Sequence, residues 1–160
     1  MKSIFDYFNE KIRQAILGFK EKEIYEIRLR VNEPIVLNTS FGEQVIMTCI
    51  VCDQDIKDSF NRVTEYSAYA YEKNLAEGYI TVPGGHRIGV GGYMTLQSDK
   101  SAIVKNIRFL NFRVRHFIDG CSNPIMEKLG HKNLENILII SPPAMGKTTL
   151  LRDMIKNISN

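Results

Sequence analysis

Gly146-Lys147-Thr148-Thr149 sets a glycine, an ammonium group and two hydroxyls side by side, a combination suited to capturing phosphate. Before it stands Asn136-Ile-Leu-Ile-Ile-Ser-Pro-Pro-Ala-Met, an apolar run of strand length and a tight loop; after it comes a helical pattern. This is the strand–loop–helix order of a phosphate-binding (Walker A) loop. Backbone N–H groups of Ala144, Met145, Gly146, Lys147, Thr148 and Thr149 would converge on phosphate oxygens, and the helix N-terminus would add its partial positive charge. Lys147 would reach the outer phosphates, and the Thr148 hydroxyl would hold Mg2+ through the nucleotide. The implied cofactors are ATP and Mg2+. Gly146 lets the backbone turn and approach the ligand, while Pro142 and Pro143 stiffen the entry and donate no N–H. Ser141 departs from the pattern, standing where the motif has its first glycine.

A nucleotide hydrolase of this kind also needs a later strand ending in an acid that holds the metal and polarises water. No such strand follows Lys147 in this sequence, so no catalytic residue can be named. The expectation is an N-terminal domain joined to the truncated beginning of a second one.

The elements around the loop fit that expectation. With 44 % hydrophobic and 24 % charged residues, the composition is that of a folded globular chain rather than a disordered one. A net charge of +3 is too mild to imply a nucleic-acid or membrane partner by itself. No apolar run is long enough to span a bilayer, and Asp6 falls where a signal peptide would be apolar, so a cytoplasmic protein is expected. Three cysteines suit reduced thiols. Cys49 and Cys52 have C-x-x-C spacing but lack the second pair a zinc site requires, and a packing role is the preferred reading.

The spacing of Ile4, Phe8, Ile12, Ala15 and Ile16 predicts a helix over 3–17 capped by Ser3 and ended by Gly18. From Glu23 the period becomes two: Ile24, Glu26, Arg28 and Arg30 alternate with Tyr25, Ile27, Leu29 and Val31, with the arginines on a solvated face. Tight turns at 32–34 and 40–43 then predict an antiparallel meander. Asp53 is read as the N-cap of a helix over 54–65 and Ser67 of another over 68–77, closed by Gly78. Tyr66, Tyr69 and Tyr71 are assigned to packing.

Pro83-Gly84-Gly85 joins two hairpin strands, with His86 and Arg87 projecting near the tip. Gly89, Gly91 and Gly92 fall inside the second strand, where they weaken it unless a bulge or another backbone comes close. A basic stretch over 105–116 follows, carrying Lys105, Arg108, Arg113, Arg115 and His116. Alternation sets Phe112 and Val114 on one face and Arg113 and Arg115 on the other, an arrangement able to bind phosphate or to form a solvated edge.

Three stretches together carry a resemblance: Ile27-Arg-Leu-Arg-Val-Asn-Glu-Pro-Ile35, Gly78-Tyr-Ile-Thr-Val-Pro-Gly-Gly-His-Arg-Ile-Gly89 and Pro142-Pro-Ala-Met-Gly-Lys-Thr-Thr-Leu-Leu-Arg-Asp153. They resemble the stage III sporulation protein AA family, itself similar to the hexameric ATPases of type II and type IV secretion. The resemblance implies an N-terminal α+β domain, helices on a mostly antiparallel sheet, joined to a RecA-like α/β ATPase domain. It implies a homo-hexamer at full length that powers a mother cell–forespore channel, with membrane-embedded channel subunits as partners. The location would be the cytoplasm, peripherally at the mother-cell face of the forespore membrane. In the wider secretion-ATPase group, arginines of the N-terminal domain approach the nucleotide at a domain or subunit boundary, and Arg108, Arg113 and Arg115 are the candidates by position.

The expected organisation is an α+β domain over 1–120, a linker with a short helix over 121–133, and the first strand, loop and helix of the ATPase domain over 134–160. Two other readings remain. One is a nucleic-acid module using residues 105–116. It needs stacking aromatics beside the arginines, and Phe112 alternates away from them, which makes nucleic acid the less favoured partner. The other is a docking module for a membrane complex that needs no nucleotide.

Overall fold

The computed structural model describes residues 2–67, 71–96, 102–116, 118–129, 136–142 and 145–159, and in 72–73, 94–96 and 102–105 the backbone alone. It divides into two compact units, 1–115 and 116–160.

The first unit is an α+β fold built on a six-stranded sheet in the order β3-β2-β1-β6-β5-β4. Its strands are β1 (Ile24–Arg30), β2 (Pro34–Thr39), β3 (Gly42–Ile50), β4 (Tyr79–Thr81), β5 (Arg87–Leu96) and β6 (Ala102–Arg113). All pairings are antiparallel. Between β3 and β4 the chain forms helices α2 (Asp53–Val63) and α3 (Glu72–Ala76), and before β1 it forms α1 (Glu10–Ile16).

The expected single helix over 3–17 is two elements. Ser3 caps a short 3-10 turn, Ile4–Tyr7, and Asn9 caps α1 by accepting from the Ile12 N–H. The break lets Tyr7 and Phe8 both bury, and the Phe8 ring meets Phe112 edge-on at a centroid distance of 4.6 Å. Ile12, Ile16 and Ile56 from the helices join Ile27, Leu29, Ile35, Leu37, Ile88, Leu110 and Phe112 from the strands in one core. Each such side chain contributes about 1.5–3 kcal/mol when fully buried.

In β1 the alternation shifts by one. A bulge between Ile24 and Glu26 turns Ile24 to the core and leaves Tyr25 exposed. Helix α2 starts at Asp53, one residue earlier than the cap assignment had it. Cys52 is the N-cap, and the Asp55 carboxylate accepts from its N–H at 2.8 Å. Tyr66 is an exposed residue rather than a packing one, because Glu65 and Tyr66 both take positive φ as the chain leaves α2. Tyr71 packs against the core, whereas Tyr69, the start of the helix over 68–77 and the turn over 97–101 lie outside the described residues.

The β4–β5 connection is the predicted tight turn. Gly85 N–H donates to Val82 O at 2.9 Å, and Gly84 and Gly85 have φ of 92° and 77°. At Gly92 the β5–β6 register slips, and a Cβ there would lie 2.0 Å from the Asn106 carbonyl oxygen. Only glycine fits this approach.

The second unit contains helices α4 (Asn123–Leu129) and α5 (Lys147–Ser159). Residues 136–140, expected as a strand, belong to no helix or sheet, and no strand pairs with them among the described residues. A strand needs such a partner for its backbone groups. Leu138 and Ile140 are 82 % and 83 % exposed.

Candidate functional site

The phosphate-loop residues lie in the second unit. Gly146 adopts φ 79°, and its carbonyl accepts the Leu150 N–H at 2.9 Å, which starts the first turn of α5. Lys147 is the first residue of that helix, and its ammonium folds back over the preceding loop. It donates to the carbonyl oxygens of Ser141 and Pro142, each at 2.7 Å, and reaches the Ser141 hydroxyl at 3.3 Å. Thr148 and Met145 are exposed beside it, and Ala144 lies outside the described residues. Ile137, Ile139, Lys147, Thr148 and Leu151 line a hollow of about 260 Å³. A phosphate placed there would compete with two carbonyl oxygens for the ammonium, and its full charge makes it the stronger acceptor.

Asp153, further along α5, has no role that its sequence context suggests. It is buried, and its carboxylate accepts from the Gly120 N–H at 3.0 Å and from the Ser122 N–H and hydroxyl, each at 2.7 Å. Those bonds, the Ser122 N–H first, hold its carboxyl below the ordinary range. Asn157 adds a bond to the Ser122 hydroxyl, and Lys156 pairs with Asp119 at 2.7 Å. Helix α5 is thereby tied to the segment that leads into α4. Spacing gave no signal for it, because Asp153 lies off the apolar stripe of Leu150, Leu151, Met154, Ile155 and Ile158, three of which are exposed.

The three candidate arginines do not converge. Arg108 pairs with Asp53 at the start of α2, on the helix-covered side of the sheet. Arg113 lies on the opposite, open face, 3.6 Å from Glu26. Arg115 lies against Gly85, and its N–H donates to His86 Nδ1 at 3.0 Å. The Lys105 side chain lies outside the described residues. His86, expected to project, is buried at 4 % exposure, with Glu21 Oε1 3.9 Å from its Nε2. The strand that follows the turn points its alternate residues inward, and His86 falls on the inward side.

The open face holds a second arrangement. Arg113 and Arg87 are direct cross-strand neighbours, followed along the strands by Asn111 opposite Gly89 and Phe109 opposite Gly91. Arg87 lies over the Tyr79 ring at 5.4 Å and Arg30 over the Phe109 ring at 5.2 Å. Glu26 accepts from Arg28 and from the Asn111 amide at 2.7 Å. Burial raises its carboxyl, but these bonds and the nearby Arg113 outweigh burial and lower it. The Asn111 Oδ1 is a buried acceptor with no donor among the described residues. Between these side chains runs a cleft of about 420 Å³.

Comparison with known proteins gives three findings. The family model described as sporulation stage III, protein AA matches residues 2–160. A stage III sporulation protein AA of Bacillus subtilis (strain 168) is 32 % identical over 159 residues, covering 98 % of this chain and 52 % of the relative. The chain thus spans about half the length of the curated relative it matches. Among solved structures, the Legionella pneumophila ATPase DotB aligns with 92 % of this chain and 40 % of its own at TM-score 0.47 and 15 % identity. The pilus retraction motor PilT with bound ADP aligns with 100 % of this chain and 44 % of its own at TM-score 0.49 and 19 % identity. Neither structural likeness extends to what this chain does.

Proposed function

The chain belongs to the sporulation stage III protein AA family, and on that premise we propose that it is part of an ATP-driven motor for a mother cell–forespore channel. The observation that carries this reading is the Lys147 ammonium, held over the loop at the N-terminus of a 13-residue helix by carbonyl oxygens that phosphate can replace. ATP would bind with its phosphates against the N–H groups of 144–149, its outer charge on Lys147 and Mg2+ on the Thr148 hydroxyl. Lys147 would then leave Ser141 and Pro142, freeing the entry of the loop to move. The Asp153 bonds would carry that change from α5 to 120–122. Magnesium would neutralise charge on the phosphates and orient them.

Hydrolysis also needs a metal-binding acid and an aligned water, and no residue after Lys147 is proposed for either. As a working assembly we take a hexamer at the mother-cell face of the forespore membrane, docked on membrane-embedded channel subunits. The test is ATP binding and turnover with Mg2+, comparing this chain with one extended to the length of its curated relative, each with and without Lys147→Ala. Binding by both and turnover by the longer chain, both lost on substitution, is the expected result. Binding that Lys147→Ala leaves unchanged would overturn the reading.

A further inference from the structure

Where α2 ends, the chain takes two left-handed steps in a row, Glu65 at φ 49° and Tyr66 at φ 60°. Side chains are strained in that conformation, and glycine is the usual residue for it at a helix C-terminus. The turn is nevertheless firmly held. Tyr66 N–H donates to the Asn61 carbonyl at 2.8 Å, Ser67 N–H to the Thr64 carbonyl at 2.9 Å, and the Thr64 hydroxyl to the Phe60 carbonyl at 3.0 Å. What the two strained side chains provide is the wall of a hollow. Glu65 and Tyr66 line it together with Lys2, Asp6, Arg13 and Arg62, around a volume of about 370 Å³.

The charges of this hollow are unequally satisfied. Glu65 pairs with Lys2 at 3.6 Å, and Asp6 accepts the Ser3 N–H at 2.9 Å. Arg13 and Arg62 are half-buried and have no ion pair among the described residues. Arg13 uses only its Nε, on the Phe8 carbonyl at 3.0 Å. A partly desolvated guanidinium without a carboxylate is short of acceptors for its five donors. The three cations and two carboxylates leave a single net positive charge, which one carboxylate matches, whereas Asp6 and Glu65 would repel the second charge of a phosphate monoester. Five of the six lining residues are charged, and Lys2, Asp6, Glu65 and Tyr66 are exposed, unlike the apolar, enclosing walls of a small-molecule site. The hollow suits a group presented on another protein's surface.

We propose that this hollow docks a protein partner through one acidic side chain, a glutamate or aspartate held by Arg13 and Arg62, with a neighbouring apolar side chain of the partner against the Tyr66 ring. Guanidinium forks suit a carboxylate, and arginine and tyrosine are the residue types that anchor interfaces. The site lies wholly in the first unit, and it requires neither nucleotide nor the Lys147 loop.

The test is an NMR titration of the whole chain with the blocked peptide acetyl-Leu-Glu-Leu-amide, followed at the Arg13 and Arg62 side-chain N–H signals and at the backbone amides of 64–67. Saturable shifts with a Kd of about 1 mM are expected, since a single anchor is a small part of a full interface. Arg13→Gln and Arg62→Gln should each weaken binding at least about fivefold, and so should replacing the peptide's glutamate by glutamine. Tyr66→Gly separates binding from folding: it relieves the strained conformation, so the variant should unfold at no lower a temperature than the parent, yet it should bind the peptide at least about threefold more weakly. Acetate that binds as tightly as the peptide would assign the hollow to free anions and overturn the proposal. So would the absence of saturable shifts, or binding indifferent to Arg62 and Tyr66.

Discussion

The Lys11 ammonium of α1 donates to the Asp55 carboxylate in the first turn of α2, and this acid is only 3 % exposed. Burial alone would raise the Asp55 carboxyl, but bonds from Lys11, the Cys52 N–H and Asn9 outweigh it and hold the group at about 2 against an ordinary 3.8. The folded value is the lower one. Its stabilisation is therefore complete above pH 4 and disappears as the pH falls toward 2, amounting to about 2 kcal/mol. Urea unfolding of the parent and of Asp55→Asn should differ at pH 6 and converge near pH 2; a constant difference would show that another group carries the acid sensitivity.

Gly92→Ala should destabilise the first unit by about 2–4 kcal/mol, because its Cβ would lie 2.0 Å from the Asn106 carbonyl oxygen and the hairpin must shift to admit it. Gly18→Ala is the control, with nothing within 4 Å of the added carbon and a change within about 0.5 kcal/mol. Equal denaturation midpoints for the two variants would contradict the close approach.

Phe112→Ala removes a fully buried ring that touches Phe8 and should cost about 3–5 kcal/mol. Phe41, 77 % exposed at the β2–β3 turn, should be replaceable by alanine within about 0.5 kcal/mol. Thermal unfolding of both reads the contrast, and a similar loss for each would contradict the assignment of the sheet's covered face.

Asp153→Asn should speed hydrogen exchange at the Gly120 and Ser122 amides and leave the amides of β1 and β6 unchanged. Because the Asp153 carboxyl is lowered in the folded chain, the parent should keep its protection above the ordinary carboxylate range and lose it as the pH falls below. Unchanged exchange in the variant would mean that other bonds hold α5.

Ser141→Gly removes a hydroxyl that lies 3.3 Å from the Lys147 ammonium and restores backbone freedom at the loop entry. It should tighten ATP binding about two- to fivefold, and weaker binding would assign the hydroxyl a helping role.

The alternating strands and the Pro83-Gly84-Gly85 turn were legible because hydrophobic period and turn chemistry are local, while the α+β class was implied by the family resemblance. The Gly92 contact was legible in kind, since glycine inside a strand signals a close approach, but not in its partner. His86 is buried rather than projecting because it shares the alternation of Ile88 and Val90, which face the core. The break at Asn9 was hidden by apolar spacing that continues through it. Phe109 shares the Arg113 face by alternation along β6 alone, but its place opposite Gly91 depends on the register of two strands and cannot be read from one.

In the finished sheet, β1 lies between β2 and β6, and the bond from Asn111 to Glu26 spans 85 residues of chain. A nascent polypeptide can form the β1–β3 meander early, but one edge of β1 stays unpaired until β6 has been synthesised. With synthesis at about 5–20 residues per second, that edge remains open for several seconds on the ribosome. During that interval Ile27 and Leu29 are available to chaperones or to neighbouring chains.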